Sequence, residues 1–430
     1  MFVLFTATQG SKSILNLFRI EQAHAFLRAA QTEFCAALFC AAVQKIWRNE
    51  GITLRVLHIA NTYFFVERLL PGKLEGLRKA GWEVHAAAPL PPQYQKDTPL
   101  PCWFHPLPMA RNIAPFEDIR TLFSCVRLIA HGRYDLIHTH TAKAGFLGRL
   151  AAWLCEVPCL HTVHGLPYYE GQPFFQRNGY RALEWLAAHW CAGILSQNHE
   201  DIERLRALHA LPPERLFYEG NGLDFEEVAQ WSADREEVRQ ELKLEKDDVA
   251  IALLARLEPV KDHRTFLKAF EEVFQTCPHA VAVIAGANFG RNGTYEREIL
   301  RAFSISPAKG RIRMLGYRKD AGRILAGCDI LALTSEKEGL PRVVMEAMGL
   351  GLAVAATDVP GTRELIRDGI TGLLVPAGNS HALADAFRRL ISSPILRVRL
   401  GTAAQRFARQ ELDERQVISR ILNAYQYTVT

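Results

Sequence analysis

Residues 249–254 read VAIALL, residues 255–262 ARLEPVKD, residues 263–274 HRTFLKAFEEVF and residues 280–285 AVAVIA. Six apolar residues in a row suit a strand buried on both faces, because a half-exposed strand would alternate apolar and polar. Apolar residues then recur at helical spacing, predicting a helix over Lys261–Phe274, before a second all-apolar run. Strand, loop, helix and strand of these lengths form the repeating unit of a parallel sheet.

The unit repeats outward in both directions. Toward the C-terminus, strands are predicted at Arg311–Leu315, Ile330–Thr334, Leu352–Ala356 and Gly372–Val375, with a helix at Pro341–Met348 and a helical tail over Ser380–Tyr427. Asp224–Asp248 is rich in charge and has no strand pattern. Before it lies another alternation, with strands at Arg55–Ala60, Glu83–Ala88, Asp135–Thr139, Cys159–Val163 and Gly193–Ser196. Helices are predicted there at Val66–Ala80, Pro115–His131 and Lys143–Cys155. The fold expected is α/β: two tandem doubly wound Rossmann-like domains, residues 52–224 and 225–430, facing a cleft. Residues 1–51 do not share the alternation and read as a dispensable extension, with helical spacing over residues 21–48. Gly10-Ser11-Lys12-Ser13 resembles the end of a phosphate loop but has no glycine directly before the lysine.

Composition agrees. A chain of 430 residues accommodates two domains, and 49% hydrophobic with 23% charged residues excludes disordered and low-complexity classes. The net charge of +5 is too dilute to imply nucleic-acid binding and is compatible with an anionic substrate or an acidic membrane surface. No apolar run reaches the roughly 18 residues that span a bilayer. Nine cysteines without a C-x-x-C pair read as free thiols of a reducing compartment.

Ligands of open α/β sheets bind at the carboxyl ends of strands, so the chemistry belongs in the loops after them. Arg256 and Lys261 lie five residues apart in one such loop, suited to gripping a diphosphate, with the alternative of two solvated surface charges. After Ile330–Thr334 come Glu338, Gly339, Leu340 and Pro341, then Glu346 on the predicted helix. The carboxylate, the small residue and a proline suited to a first helical turn fall together at a strand exit, where amides are exposed to a ligand. His164 ends the strand Cys159–Val163, placed to contact a sugar hydroxyl. His138, His140 and His161 raise a metal reading, but no carboxylate or cysteine completes a set, and none is expected. The chain also contains no Asp-x-Asp pair.

At these residues the sequence resembles the family-4 retaining glycosyltransferases of GT-B fold, over about Leu54 to Tyr427. The similarity is to members that build bacterial exopolysaccharide, capsule or O-antigen repeats on a lipid carrier. It rests on the E-x7-E element (Glu338, Glu346), on Arg256 and Lys261, on HTHTAKAGFLGRLAA (138–152), on HTVHGLPYYEG (161–171) and on Asn221-Gly222-Leu223-Asp224. The resemblance implies transfer of a sugar, with retention, from a nucleotide diphosphate sugar, UDP-linked by analogy, to a lipid-diphosphate-linked saccharide. Arg256 and Lys261 would bind the diphosphate without a metal or other cofactor. Glu338, Gly339 and Leu340 would lie at the transferred sugar, Glu346 at the ribose, Tyr317 near the base, and His164 at the donor sugar on the acceptor side. The chain departs from the pattern in lacking a double glycine after its first strand and in reading Gly286-Ala287-Asn288 where relatives have Gly-x-Gly-Pro.

Two aromatic segments, Tyr63, Phe64 and Phe65 and then Tyr168, Tyr169, Phe174 and Phe175, are expected to form a lip dipping into the cytoplasmic face of the inner membrane; Trp185 and Trp190 read as core. The rival readings are a transferase acting on a soluble acceptor, a nucleotide-sugar 2-epimerase, and a nucleotide-binding scaffold without catalysis.

Overall fold

The computed structural model describes residues 53–90, 100–110, 112–169, 172–288 and 293–429. The expectations for residues 1–51, and for the end of the 285–290 loop, lie outside them. Thirteen described strands form two sheets. They are β1 (Arg55–Ile59), β2 (Glu83–Ala88), β3 (Trp103–Pro106), β4 (Leu136–His140), β5 (Cys159–Val163), β6 (Gly193–Ser196) and β7 (Leu216–Tyr218), then β8 (Val249–Leu254), β9 (Ala280–Ala285), β10 (Ile312–Met314), β11 (Ile330–Leu333), β12 (Ala353–Thr357) and β13 (Leu373–Val375). The strand orders are β3-β2-β1-β4-β5-β6-β7 and β10-β9-β8-β11-β12-β13. Pairing is parallel along both sheets, as with β1 on β4 and β8 on β9.

By contacts the chain gathers into two compact units. One takes the described residues up to Thr162 with Ala182–Ile194 and the chain end from Ser419; the other takes Val163–Arg181 and Leu195–Ile418.

In the second unit, side-chain alternation sends successive residues of β8 to opposite faces. Val249, Ile251 and Leu253 join one core with Phe266 and Phe270 of the His263–Phe274 helix and Phe387 of the Ser380–Ser392 helix. Ala250, Ala252 and Leu254 join the other, with Val344 and Met348 of the Arg342–Leu350 helix. In the first unit, Arg149 is buried on the Ala142–Leu154 helix and forms a two-pronged ion pair with Glu184, at 2.7 and 3.2 Å.

Several expectations change. The helix predicted over Val66–Ala80 is two, Tyr63–Leu69 and Pro71–Lys79, because Pro71 has no N–H to continue the ladder and opens a new first turn instead. The helix predicted from Lys261 starts at His263: Pro259–Lys261 forms a 3-10 turn, and Asp262 caps the helix by accepting from the Thr265 N–H at 3.2 Å. Pro341 is the N-cap of its helix rather than part of the first turn. The short strands β3 and β7 were not anticipated. The charge-rich stretch after Asp224 forms two helices, Phe225–Ala233 and Arg235–Glu241.

Candidate active site

In the second unit the loops after β8 and β11 are laced together. Glu336 N donates to Val260 O at 2.9 Å, and Thr334 Oγ1 donates to Lys261 O at 2.8 Å. These bonds set Lys261 beside Glu338, and its Nζ donates to Glu338 Oε1 at 2.6 Å. Ser335 Oγ donates to the same oxygen at 2.5 Å, and Thr357 Oγ1 fixes the Ser335 carbonyl at 2.6 Å. The side chains of Lys261 and Glu338 remain 15% and 11% exposed, so the pair is largely shielded yet reachable. Two motifs 77 residues apart thus meet at one point.

The other expected residues are placed around this unit with different partners. Arg256 is exposed and its Nη1 donates to Glu258 Oε1 at 2.8 Å. Glu346 is buried, accepts from Arg342 Nε at 2.9 Å, and has its carboxyl pushed above the usual range by that burial, with Arg342 opposing. Leu340 is buried and Tyr317 exposed, the latter following Gly316 at the end of β10.

His164, just after β5, belongs to the same unit as Glu338. Backbone packs on backbone here: a Cβ on Gly339 would lie 2.6 Å from the His164 carbonyl oxygen, and one on Gly361 only 1.9 Å from the Gly339 oxygen. Gly165 has φ +100°, a conformation side chains strongly disfavour, and faces Gly339. Around this stack, Asn198 Nδ2 donates to Gly339 O at 3.2 Å. Asn198, Asp201, Lys337 and Ser335 were missed in the sequence. The Asn-x-x-Asp spacing of a helix cap directly after β6 was a usable signal for the first two.

The aromatic expectation is corrected. Tyr63, Phe65 and Tyr168 are buried; Tyr63 meets Phe104 edge to face and Phe65 lies against His140, so none of the three can enter a membrane. Phe64, Phe174 and Phe175 are exposed and Tyr169 is half-buried. Trp185, expected in the core, is exposed as well. No helix of the described residues is long and apolar enough to cross a membrane.

The histidines of the first unit also differ from expectation, because His58 on β1, rather than His161, joins His138 and His140, and His161 Nδ1 lies 2.9 Å from Thr139 Oγ1 instead. Ligand atoms of His58, His138 and His140 all lie within 4.8 Å of one another. Their arrangement is that of hydrogen bonds: the His58 and His140 rings lie 7° from parallel with Nδ1 and Nε2 2.9 Å apart. Tyr425 Oη lies 3.2 Å from His58 Nε2 and 2.7 Å from His138 Nδ1, and Thr162 Oγ1 lies 2.7 Å from His138 Nε2. With neutral rings the four contacts form one continuous chain, Thr162–His138–Tyr425–His58–His140, in which each ring gives one N–H and offers one bare nitrogen.

Comparison with known proteins agrees with this geometry. The family model described as glycosyl transferases group 1 matches residues 234–407, and that of the glycosyl transferase 4-like domain matches residues 67–222. The UDP-Gal:alpha-D-GlcNAc-diphosphoundecaprenol alpha-1,3-galactosyltransferase of Escherichia coli is 28% identical over 295 residues, 67% of this chain and 75% of that one. The D-inositol 3-phosphate glycosyltransferase of Corynebacterium glutamicum is 31% identical over 294 residues, 64% of this chain and 68% of that one. Among solved structures, Anabaena HepE in complex with UDP-glucose superposes with a TM-score of 0.73 at 20% identity, covering 87% of this chain and 100% of that one. With two parallel sheets and both family halves matched in order, the chain belongs to the family-4 glycosyltransferases of GT-B fold.

Proposed function

We propose that the protein moves a sugar, with retention of anomeric configuration, from a UDP-sugar to a lipid-diphosphate-linked saccharide during surface polysaccharide synthesis. The observation that carries this reading is the Lys261–Glu338 contact, which joins a cation suited to a diphosphate and a carboxylate suited to a sugar. The arriving diphosphate takes the Lys261 ammonium from Glu338 and recruits Arg256 from Glu258, so charge building on the leaving group meets fixed cations. Glu338 then faces the transferred sugar beside the Gly339 and Leu340 amides. Glu346 holds the ribose, Tyr317 borders the base, and His164 meets the sugar from the acceptor side. These cations make a divalent metal unnecessary, so chelator leaves the rate unchanged.

The lipid-linked acceptor is supported by the name of the Escherichia coli relative. A further surface, not singled out from the sequence, suits contact with the cytoplasmic face of the membrane. On the Pro115–Gly132 helix, Phe116, Ile119 and Phe123 are 90%, 55% and 70% exposed on one side, with Arg120 and Arg127 exposed among them. Apolar residues interleaved with cations suit an anionic lipid interface.

A thermal-shift panel of UDP-, GDP- and ADP-sugars identifies the donor, since ligand raises apparent stability by mass action. Release of nucleoside diphosphate with and without a membrane extract then tests the acceptor. Stabilisation by UDP-sugars and extract-dependent release are expected. Turnover that needs magnesium or manganese, or that proceeds on a soluble saccharide alone, overturns the reading.

A further inference from the structure

Leu166 lies two residues beyond His164, and its backbone N–H and C=O are held by side chains of opposite charge. Its N–H donates to Asp201 Oδ2 at 3.1 Å, and its carbonyl accepts from Lys337 Nζ. The same ammonium lies 4.8 Å from the centroid of the Tyr169 ring, within cation–π range. Asn198 Nδ2 closes the cage by bridging Asp201 Oδ2, at 3.1 Å, and Gly339 O, at 3.2 Å. Lys337 is the residue immediately before Glu338, so the strap begins at one half of the candidate site and ends at the other.

A lysine in this turn would ordinarily leave its head in water. Here burial holds the Lys337 amine below the usual lysine range, with the Asp201 charge opposing the shift. Burial raises the Asp201 carboxyl, against the bonds from Asn198 and Leu166. Both groups give up hydration, and that cost is offset only while Leu166 stays between them.

We propose that Lys337 is a positioning residue for glycosyl transfer: through the Leu166 carbonyl and the Tyr169 ring it straps segment 164–169 against the Glu338–Gly339 turn, and so fixes His164 relative to Glu338. This rests on the reading of His164 and Glu338 as flanking the transferred sugar. Lys337 itself touches neither sugar nor diphosphate. Its removal therefore lowers kcat while leaving donor KM nearly unchanged, because a displacement of about 1 Å at a reacting group can cost on the order of 100-fold.

The test compares Lys337→Met, which keeps the stem and loses the charge, with Lys337→Arg. Turnover is read as UDP release from UDP-galactose, UDP-glucose and UDP-N-acetylglucosamine with membrane extract, alongside the rate of chymotryptic cleavage after buried Tyr168. The Met variant is expected to lose about 10- to 100-fold in kcat with donor KM within about threefold. Its cleavage after Tyr168 is expected to quicken about tenfold, because cleavage follows the population of the open segment. Lys337→Arg restores most of both, and Lys337→Met adds no further loss to His164→Ala. Cleavage at the wild-type rate in Lys337→Met overturns the strap, and this arm decides even if none of the three donors turns over. Faster cleavage with unchanged kcat overturns the catalytic part. A His164→Ala variant of full activity removes the underlying reading of His164 and leaves the strap to the cleavage result. Should Lys337→Met fail to fold, Lys337→Gln is read in the same two assays.

Discussion

The central strands of the two sheets follow the same order, β2-β1-β4-β5 in one and β9-β8-β11-β12 in the other, yet they are filled differently. The first places His58, His138, His140 and His161 inside its strands, all buried, with Thr139 and Thr162 beside them. The second is Val, Ala, Ile and Leu throughout β8, β9 and β11, and its polar groups begin at or beyond the strand ends, with Thr334, Ser335 and Thr357. Its buried histidine among the described residues, His263, opens a helix. An apolar sheet interior is indifferent to pH and leaves function to the loops; an imidazole interior makes the sheet itself titratable. Residues of the first interior should therefore set how stability varies with pH, and strand-exit residues of the second should govern rate.

Four experiments sharpen or break that contrast. The largest effect is expected for Phe266→Ala, which empties a fully buried site in the second unit. It should cost about 3–5 kcal/mol in denaturant unfolding, equally at pH 7 and pH 5. A marked pH dependence of the cost would break the comparison. Next, Lys261→Ala and Glu338→Gln should each lower nucleoside diphosphate release by about 100- to 1,000-fold while shifting the melting temperature little. If these variants unfold instead, the exit residues are structural and the contrast fails.

The third concerns acid. Burial, with Lys73 adding to it, holds the His58 pKa down at about 3 against a usual 6.5. Between those values the unfolded chain takes up a proton that the folded chain refuses, so stability is complete above about pH 6.5 and declines as pH falls toward 3. The loss is about 1.4 kcal/mol per pH unit, hence about 2 kcal/mol by pH 5. His58→Gln should flatten that slope in denaturant titrations run from pH 7 to pH 5. His263, lowered to about 4 by burial, has the same sign, and His263→Gln measures the second unit's share. A slope that survives both substitutions would move the sensitivity elsewhere. The smallest effect is expected for Tyr425→Phe, which removes the hydroxyl joining His58 and His138. It should cost about 1 kcal/mol at neutral pH and leave kcat unchanged.

Much of the architecture was legible because buried parallel strands are short runs in which apolar residues predominate, wholly in β8 and β9 and mostly in β2, β5 and β6, and these five have the predicted bounds. β3 and β7 were not, since an edge strand such as Trp-Phe-His-Pro is short, partly polar and exposed, and looks like loop. Helix limits failed at Pro71 and Asp262, where local hydrogen bonding overrode the apolar rhythm. At the candidate site, residue type and position after a strand were enough to single out Lys261 and Glu338, though not their direct contact. The aromatic lip was legible only in part, because sequence gives the ring and not its neighbour: Tyr63, Phe65 and Tyr168 are buried while Phe64, Phe174 and Phe175 are exposed. What buries Phe65 is His140, and what completes the histidine group is His58, each joined to its partners across long stretches of chain. Lys337 looked like an ordinary loop charge until Leu166 was placed opposite it.

The contact of Gly165, Gly339 and Gly361 has a consequence for how the enzyme can be altered. A notional Cβ would lie 1.9 Å from the nearest oxygen at Gly361 and 2.6 Å at Gly339, with no room for even a methyl group, while at Gly165 the φ of +100° is what side chains disfavour. In a saturation library these three columns will be blank whatever chemistry is offered, and the turn bearing Glu338 has its neighbours fixed in advance. Any attempt to retune sugar selectivity has to work from residues flanking this seam, because the seam itself admits no variation.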